Sequence, residues 1–106
     1  MAKIQDTIIF TRPDTDTGFP AQHVHTTDFT DPIRVLNQDL KTEGKRVKKS
    51  STISEDRLTQ TVIIEYDSAA SKTAYYENSK TTTAVEKRKV YCDGAEIIIS
   101  ESTKEI

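Results

Sequence analysis

Short runs of β-branched and aromatic residues, separated by polar and turn-forming segments, recur along the chain, as is typical of buried strands. Residues 7–11 form the first such run and residues 95–100 form the last. Between them, residues 45–52 and 57–66 flank a polar turn at 54–56, which predicts an antiparallel hairpin. The pattern therefore predicts four strands.

A first helix is predicted between the first strand and the hairpin. Asp31 is a favourable N-cap, Pro32 suits the first helical position, and Gly44 is a favourable residue just past the end. The apolar residues of this segment recur at i, i+3 and i+7 on one face, at Ile33, Leu36 and Leu40.

A second helical segment follows the hairpin and is predicted to be interrupted. Ser68 can cap its first part, and Asn78 offers a break. Thr83 and Glu86 fit a capping box that would start the second part, and Gly94 would lie just past its end.

The resulting order, β-α-β-β-α-β, predicts an α+β domain of ferredoxin-like topology. In this plan two helices cover one face of a four-stranded antiparallel sheet. Residues 13–30 are expected to form a long loop, and residues 101–106 a polar tail that frays. One domain over residues 1–106 accounts for the length.

The strand alternation also places apolar side chains on the sheet face that the helices leave uncovered. Consecutive strand residues point to opposite faces, so this second face receives Ile9, Ile63 and Ile98. Hydrophobic residues make up only 34% of the chain, which indicates a thin core. Because contiguous apolar patches usually mark interfaces, we expect a homodimer formed through the two sheets.

Charge and cysteine content exclude several classes of function. Fifteen Lys and Arg oppose seventeen Asp and Glu, and the net charge of −2 disfavours nucleic-acid binding. Cys92 is the single cysteine, so an intrachain disulfide cannot form. This cysteine content favours a protein of the reducing cytoplasm. No signal-peptide pattern and no apolar stretch long enough to span a membrane is present in the sequence. We therefore expect a cytoplasmic protein with no membrane partner.

Basic residues cluster in one place, around the start of the hairpin. We interpret this cluster as protection of an edge strand against aggregation. RNA binding is the less favoured alternative, because the open sheet face lacks the stacking aromatic residues of an RNA-recognition domain. The cluster consists of Lys41, Lys45, Arg46, Lys48 and Lys49.

A strand that leads into a serine-started helix with aromatic residues near its end covers residues 62–68 (VIIEYDS) and 74–78 (AYYEN). In this stretch and in its topology, the chain resembles the dimeric α+β barrel group, especially the small antibiotic-biosynthesis-monooxygenase-like proteins. The resemblance implies protomers that associate through their sheets and bind a small molecule between sheet and helices. It carries over no catalytic residue, and the chain contains no tryptophan.

Tyrosines and histidines are the candidate ligand-binding residues. Tyr66, Tyr76 and Tyr91 could line a cavity, each with an apolar ring and a polar hydroxyl; the alternative is a set of tyrosines at the rim of the core. His23 and His25 form an H-x-H step typical of metal ligands, but loop histidines that titrate near neutral pH are the favoured interpretation. No metal and no cofactor is predicted.

Two classes of function remain open, and no motif decides whether the protein is an enzyme. One is a small-molecule binding protein or a cofactor-independent enzyme that uses the cleft between sheet and helices. The other is a non-catalytic interaction protein, such as a phage accessory protein, that uses the long loop or the basic edge strand.

Overall fold

The computed structural model describes residues 2–20 and 27–106, with the backbone alone for residues 27–34. In these ranges the predicted ferredoxin-like α+β fold is confirmed, and the second helical segment is two helices. The strands are β1 (Ile4–Thr11), β2 (Arg46–Ile53), β3 (Thr59–Tyr66) and β4 (Ile98–Glu105). The helices are α1 (Thr27–Thr42), α2 (Ala69–Glu77) and α3 (Ser79–Ala95).

The four strands pair antiparallel in the order β2-β3-β1-β4, so β2 and β4 form the edges. Strand β1 pairs with β3 and with β4 along its whole length. At its start, Ile4 lies opposite Tyr66 on one side and Glu105 on the other. The hairpin β2-β3 has the predicted position and direction.

The strand alternation divides the side chains between two faces as predicted. The side chains that face the helices form the core and are at most 6% exposed at Ile8, Phe10, Ile64 and Ile97. Leu36 and Leu40 of α1 pack against this core, as their spacing predicts. On the other face, Ile98 is 69% exposed.

Helix α1 is longer at its start than predicted. Asp31 lies inside the helix and is not its N-cap, so the predicted loop at 13–30 is shorter. Acidic residues such as Asp28 suit the first turn of a helix because its N-terminal end carries positive partial charge. The predicted end is confirmed, since Gly44 follows the helix with a left-handed φ of 73°.

The described part of the predicted loop is fixed by its own contacts. Phe19 is 2% exposed and belongs to the core. The guanidinium carbon of Arg12 lies 4.2 Å from the centroid of the Phe19 ring. Arg12 Nη1 donates to the Thr17 carbonyl oxygen at 2.9 Å. The Tyr91 hydroxyl donates to the Gly18 carbonyl oxygen at 2.6 Å. Residues 12–19 are therefore tied to the sheet and to α3.

Helices α2 and α3 meet at Asn78, and the predicted capping box is wrong. Ser68 caps α2 as predicted, its Oγ accepting a backbone N–H at 3.2 Å. The side chain of Asn78 accepts the N–H of Lys80 at 2.9 Å, so α3 starts at Ser79. Thr83 lies inside α3 and its hydroxyl donates to a carbonyl one turn earlier. The side chain of Asn78 therefore caps α3, and the helix already includes Thr83.

The end of α3 also differs from the prediction. Gly94 lies inside the helix, which ends at Ala95. Glu96 takes the left-handed conformation that glycine usually supplies, with a φ of 60°. None of the helices in the described part of the chain is long and apolar enough to cross a membrane.

Strand β4 includes most of the predicted polar tail, which does not fray but pairs with β1. The buried carboxylate of Asp6 accepts the Thr103 hydroxyl at 2.7 Å and Lys72 Nζ at 2.8 Å. This contact joins β1, β4 and α2. Polar residues suit an edge strand because much of its surface faces water, so polarity alone did not distinguish a strand from a tail.

Candidate ligand-binding cavity

A cavity of about 390 Å³ opens between the sheet and the helices. Its volume falls within the range of about 300–1,000 Å³ that is usual for small-molecule sites. Side chains of β1 and β3 form an apolar floor, with Ile8, Phe10, Val62 and Ile64. Side chains of α2 and α3 form the opposite wall, with Tyr75, Tyr76, Ala84 and Val85.

Arg46 is one of the polar residues that line the cavity. Its Nε donates to the Tyr66 hydroxyl at 3.2 Å, and its Nη1 donates to Asn37 Oδ1 at 3.2 Å. The guanidinium carbon lies 4.3 Å from the centroid of the Tyr75 ring. Two hydrogen bonds and one stacking contact therefore hold the guanidinium in a fixed orientation.

The three predicted tyrosines do not converge on one place. Tyr76 lines the cavity, Tyr66 is fully buried beside it and bonded to Arg46, and Tyr91 instead bonds Gly18. Burial raises the pKa of Tyr66, and it raises the pKa of Tyr76 further with the help of the neighbouring Tyr66. Both hydroxyls therefore stay protonated at neutral pH.

The predicted histidine pair, His23 and His25, lies outside the described residues. Among the residues that are described, no group of three or more His, Cys, Asp or Glu side chains could hold a metal ion. Cys92 is 1% exposed, and burial raises the pKa of its thiol. Its surroundings therefore keep the thiol protonated and shielded from reagents.

Two cavity residues that the sequence pattern did not single out carry buried polar atoms. Thr81 Oγ1 and Arg88 Nε have no hydrogen-bond partner in the part of the chain that the structure describes. The hydroxyls of Thr82 and Thr83 donate to carbonyls one turn earlier, as helical threonines commonly do. An unpartnered buried polar atom is uncommon and costs about 1–3 kcal/mol.

The predicted basic cluster divides between the cavity and the surface. Arg46 and Lys48 point to the helix side of β2 and line the cavity. Lys45 and Lys49 form ion pairs with glutamates at 3.1 and 3.9 Å. The strand therefore does not present these residues as one basic surface.

The fold is shared with solved structures of low sequence identity. A conserved protein of unknown function from Bacteroides thetaiotaomicron, described as a possible oxidoreductase, aligns with a TM-score of 0.63 at 9% identity over 99% of this chain and 98% of that chain. A dimeric ferredoxin-like protein from an uncultured marine organism aligns with a TM-score of 0.59 at 15% identity over 100% and 96%.

A candidate antibiotic biosynthesis monooxygenase from Caulobacter crescentus aligns with a TM-score of 0.53 at 13% identity, over 95% of this chain and 89% of that chain. The expected resemblance to ferredoxin-like and monooxygenase-like proteins is thus confirmed at the level of the fold. No family model and no curated protein matches the sequence.

Proposed function

We propose that this domain binds a small molecule in the cavity between the sheet and the helices. The observation that carries the proposal is the cavity itself, which combines an apolar floor with a few polar groups, the usual composition of a ligand site. The unpartnered hydroxyl of Thr81 supports it, because a polar ligand atom or an ordered water is the usual partner of such a group.

The proposal concerns binding and assigns no reaction. The described cavity residues include no carboxylate, imidazole or thiol that could serve as general base or nucleophile. Oxidoreductase and monooxygenase are descriptions of the structural neighbours. A fold of this kind supports many different activities.

A fragment screen with a filled-cavity variant tests the proposal. We expect small aromatic and bicyclic fragments to shift the backbone amide NMR signals of Ile8, Ile64 and Thr81. Val85→Phe places a larger side chain in the cavity and should abolish these shifts, whereas Val90→Phe on the same helix, at a position 65% exposed, should leave them unchanged.

Thermal unfolding of both variants establishes that each is folded before the comparison is made. Fragments that shift none of the cavity residues, or hits that Val85→Phe binds as well as the wild type, would contradict the proposal.

We also propose that two copies of the domain associate through the open faces of their sheets. Ile9 of β1 lies opposite Thr61 of β3 and Ser100 of β4. Ile63 follows Thr61 by two residues, and Ile98 precedes Ser100 by two residues, so they flank Ile9 on opposite sides along β1. The three isoleucines therefore form one diagonal stripe across β3, β1 and β4. The ferredoxin-like neighbour of similar fold is described as dimeric, which supports a dimer here.

A further inference from the structure

The charges around the cavity point to the class of ligand. We propose that the cavity binds an organic anion, with an apolar body against the floor and a carboxylate or a comparable acidic group at Arg46 and Lys48. This inference rests on the proposed small-molecule function and narrows it.

The cavity lining differs in charge from the chain as a whole. The chain carries more acidic than basic residues, 17 against 15. Even so, Arg46, Lys48 and Arg88 line the cavity, and no Asp or Glu is among its described lining residues. A cleft that is lined by one sign of charge concentrates ligands of the opposite sign.

Two of the three cations have no carboxylate partner among the side chains that the structure describes. Arg88 Nη2 is bonded to Glu101 Oε1 at 3.1 Å, so its charge is compensated within the protein. Arg46 and Lys48 form no ion pair with any residue that the structure describes. An acidic ligand group would supply the missing negative charge beside them.

Arg46 is also oriented in advance for such a group. Its bonds to Tyr66 and Asn37 use Nε and Nη1, and Nη2 has no hydrogen-bond partner among residues 2–20 and 35–106. A guanidinium that is already fixed loses little freedom when a ligand binds. Charge-assisted hydrogen bonds to a carboxylate are roughly twice as strong as neutral ones.

Three probes with one ring system and different charge test the inference. 2-Naphthoate is an anion, 2-naphthamide is neutral, and 2-naphthylmethylamine is a cation at neutral pH. We expect 2-naphthoate to bind about tenfold more tightly than 2-naphthamide in NMR titrations, and the cation to bind more weakly than both. The same cavity amides should shift with the anion and with the amide.

Two lysine variants test whether the acidic group of the ligand binds at Lys48. Lys48→Met should weaken 2-naphthoate binding about fivefold and leave 2-naphthamide binding unchanged. Lys49→Met is the matched control, because Lys49 lies one residue away, pairs with Glu65 and does not line the cavity. Its affinity for both probes should equal that of the wild type.

The outcomes separate the inference from the function on which it rests. If the neutral or cationic probe binds in the cavity as tightly as the anion, negative charge does not select the ligand. If Lys48→Met and Lys49→Met behave alike, Lys48 does not bind the acidic group. Either result overturns the inference and leaves the binding function standing. If none of the three probes shifts a cavity residue at millimolar concentration, the inference is overturned, and the binding function is overturned as well only if the fragment screen also shifts no cavity residue.

Discussion

Tyr66 and Tyr76 hold their protons at a pH at which tyrosines of an unfolded chain lose them. Burial is the main cause of the raised pKa of each. The folded state therefore binds more protons than the unfolded state above about pH 10, where an ordinary tyrosine ionises. The stability that these hydroxyls contribute is complete below that pH and is lost as the pH rises further.

Absorbance at 295 nm, which reports tyrosinate, measures this effect. We expect ionisation of Tyr66 and Tyr76 to be delayed until the protein unfolds at alkaline pH, so that the late step coincides with the loss of the circular dichroism signal. Tyr76→Phe should reduce the amplitude of that step by about half, since it removes one of the two delayed hydroxyls. If Tyr66 and Tyr76 ionise near pH 10 in the folded protein, the burial argument is wrong.

Alternation within single elements explains which residues of the cavity could be predicted. The two-residue period that places Ile9 and Ile63 on the open face places their neighbours Ile8 and Ile64 on the helix side, where both are buried in the core. Applied to β2, the same period places Arg46 and Lys48 on the helix side, where the structure has them. Interpretation of all the basic residues as one cluster on the edge strand does not separate Arg46 and Lys48 as residues that face the helices.

Helix α3 contained a second signal. Thr81, Ala84 and Arg88 recur at i, i+3 and i+7, which places them on one face, and all three line the cavity. The capping box at Thr83 wrongly placed the helix start after Thr81. The cavity itself could not be predicted, because it depends on distances between elements that no local pattern contains.

Two glycines near helix ends test where α1 and α3 stop. Gly94 lies in the last turn of α3 and a Cβ there would meet no atom within 4 Å, so Gly94→Ala should raise the free energy of unfolding by about 0.4–1 kcal/mol. Gly44 has a φ of 73°, so Gly44→Ala should lower it by about 1–2 kcal/mol. Urea denaturation with an unchanged m-value measures both. Destabilisation by Gly94→Ala would instead place Gly94 beyond the helix end.

At the scale of the whole molecule, the two faces of the sheet have different surroundings. The helices and the cavity occupy one face, while the other carries the isoleucine stripe of Ile9, Ile63 and Ile98 among threonines and serines. Ion-paired lysines lie along the β2 edge, as expected for an edge strand that resists edge-to-edge pairing. Association through the open face would leave the cavity and the edge strands accessible.

Ile63→Lys tests that association. In a two-fold symmetric pair the same patch of both copies meets, so the lysines of the two copies would bring like charges into a buried interface. We expect the wild type to show twice the 11.9 kDa chain mass in light scattering and the variant to show the single mass. The dimer dissociation constant should rise at least about tenfold.

Val90→Lys is the matched control for this variant, because Val90 is an apolar residue that is 65% exposed on α3, away from the sheet face. It introduces the same charge and should leave the dimer intact, while circular dichroism establishes that both variants are folded. A dimer that persists in Ile63→Lys would show that the copies meet elsewhere. A wild type that remains monomeric at high concentration would contradict the proposed dimer.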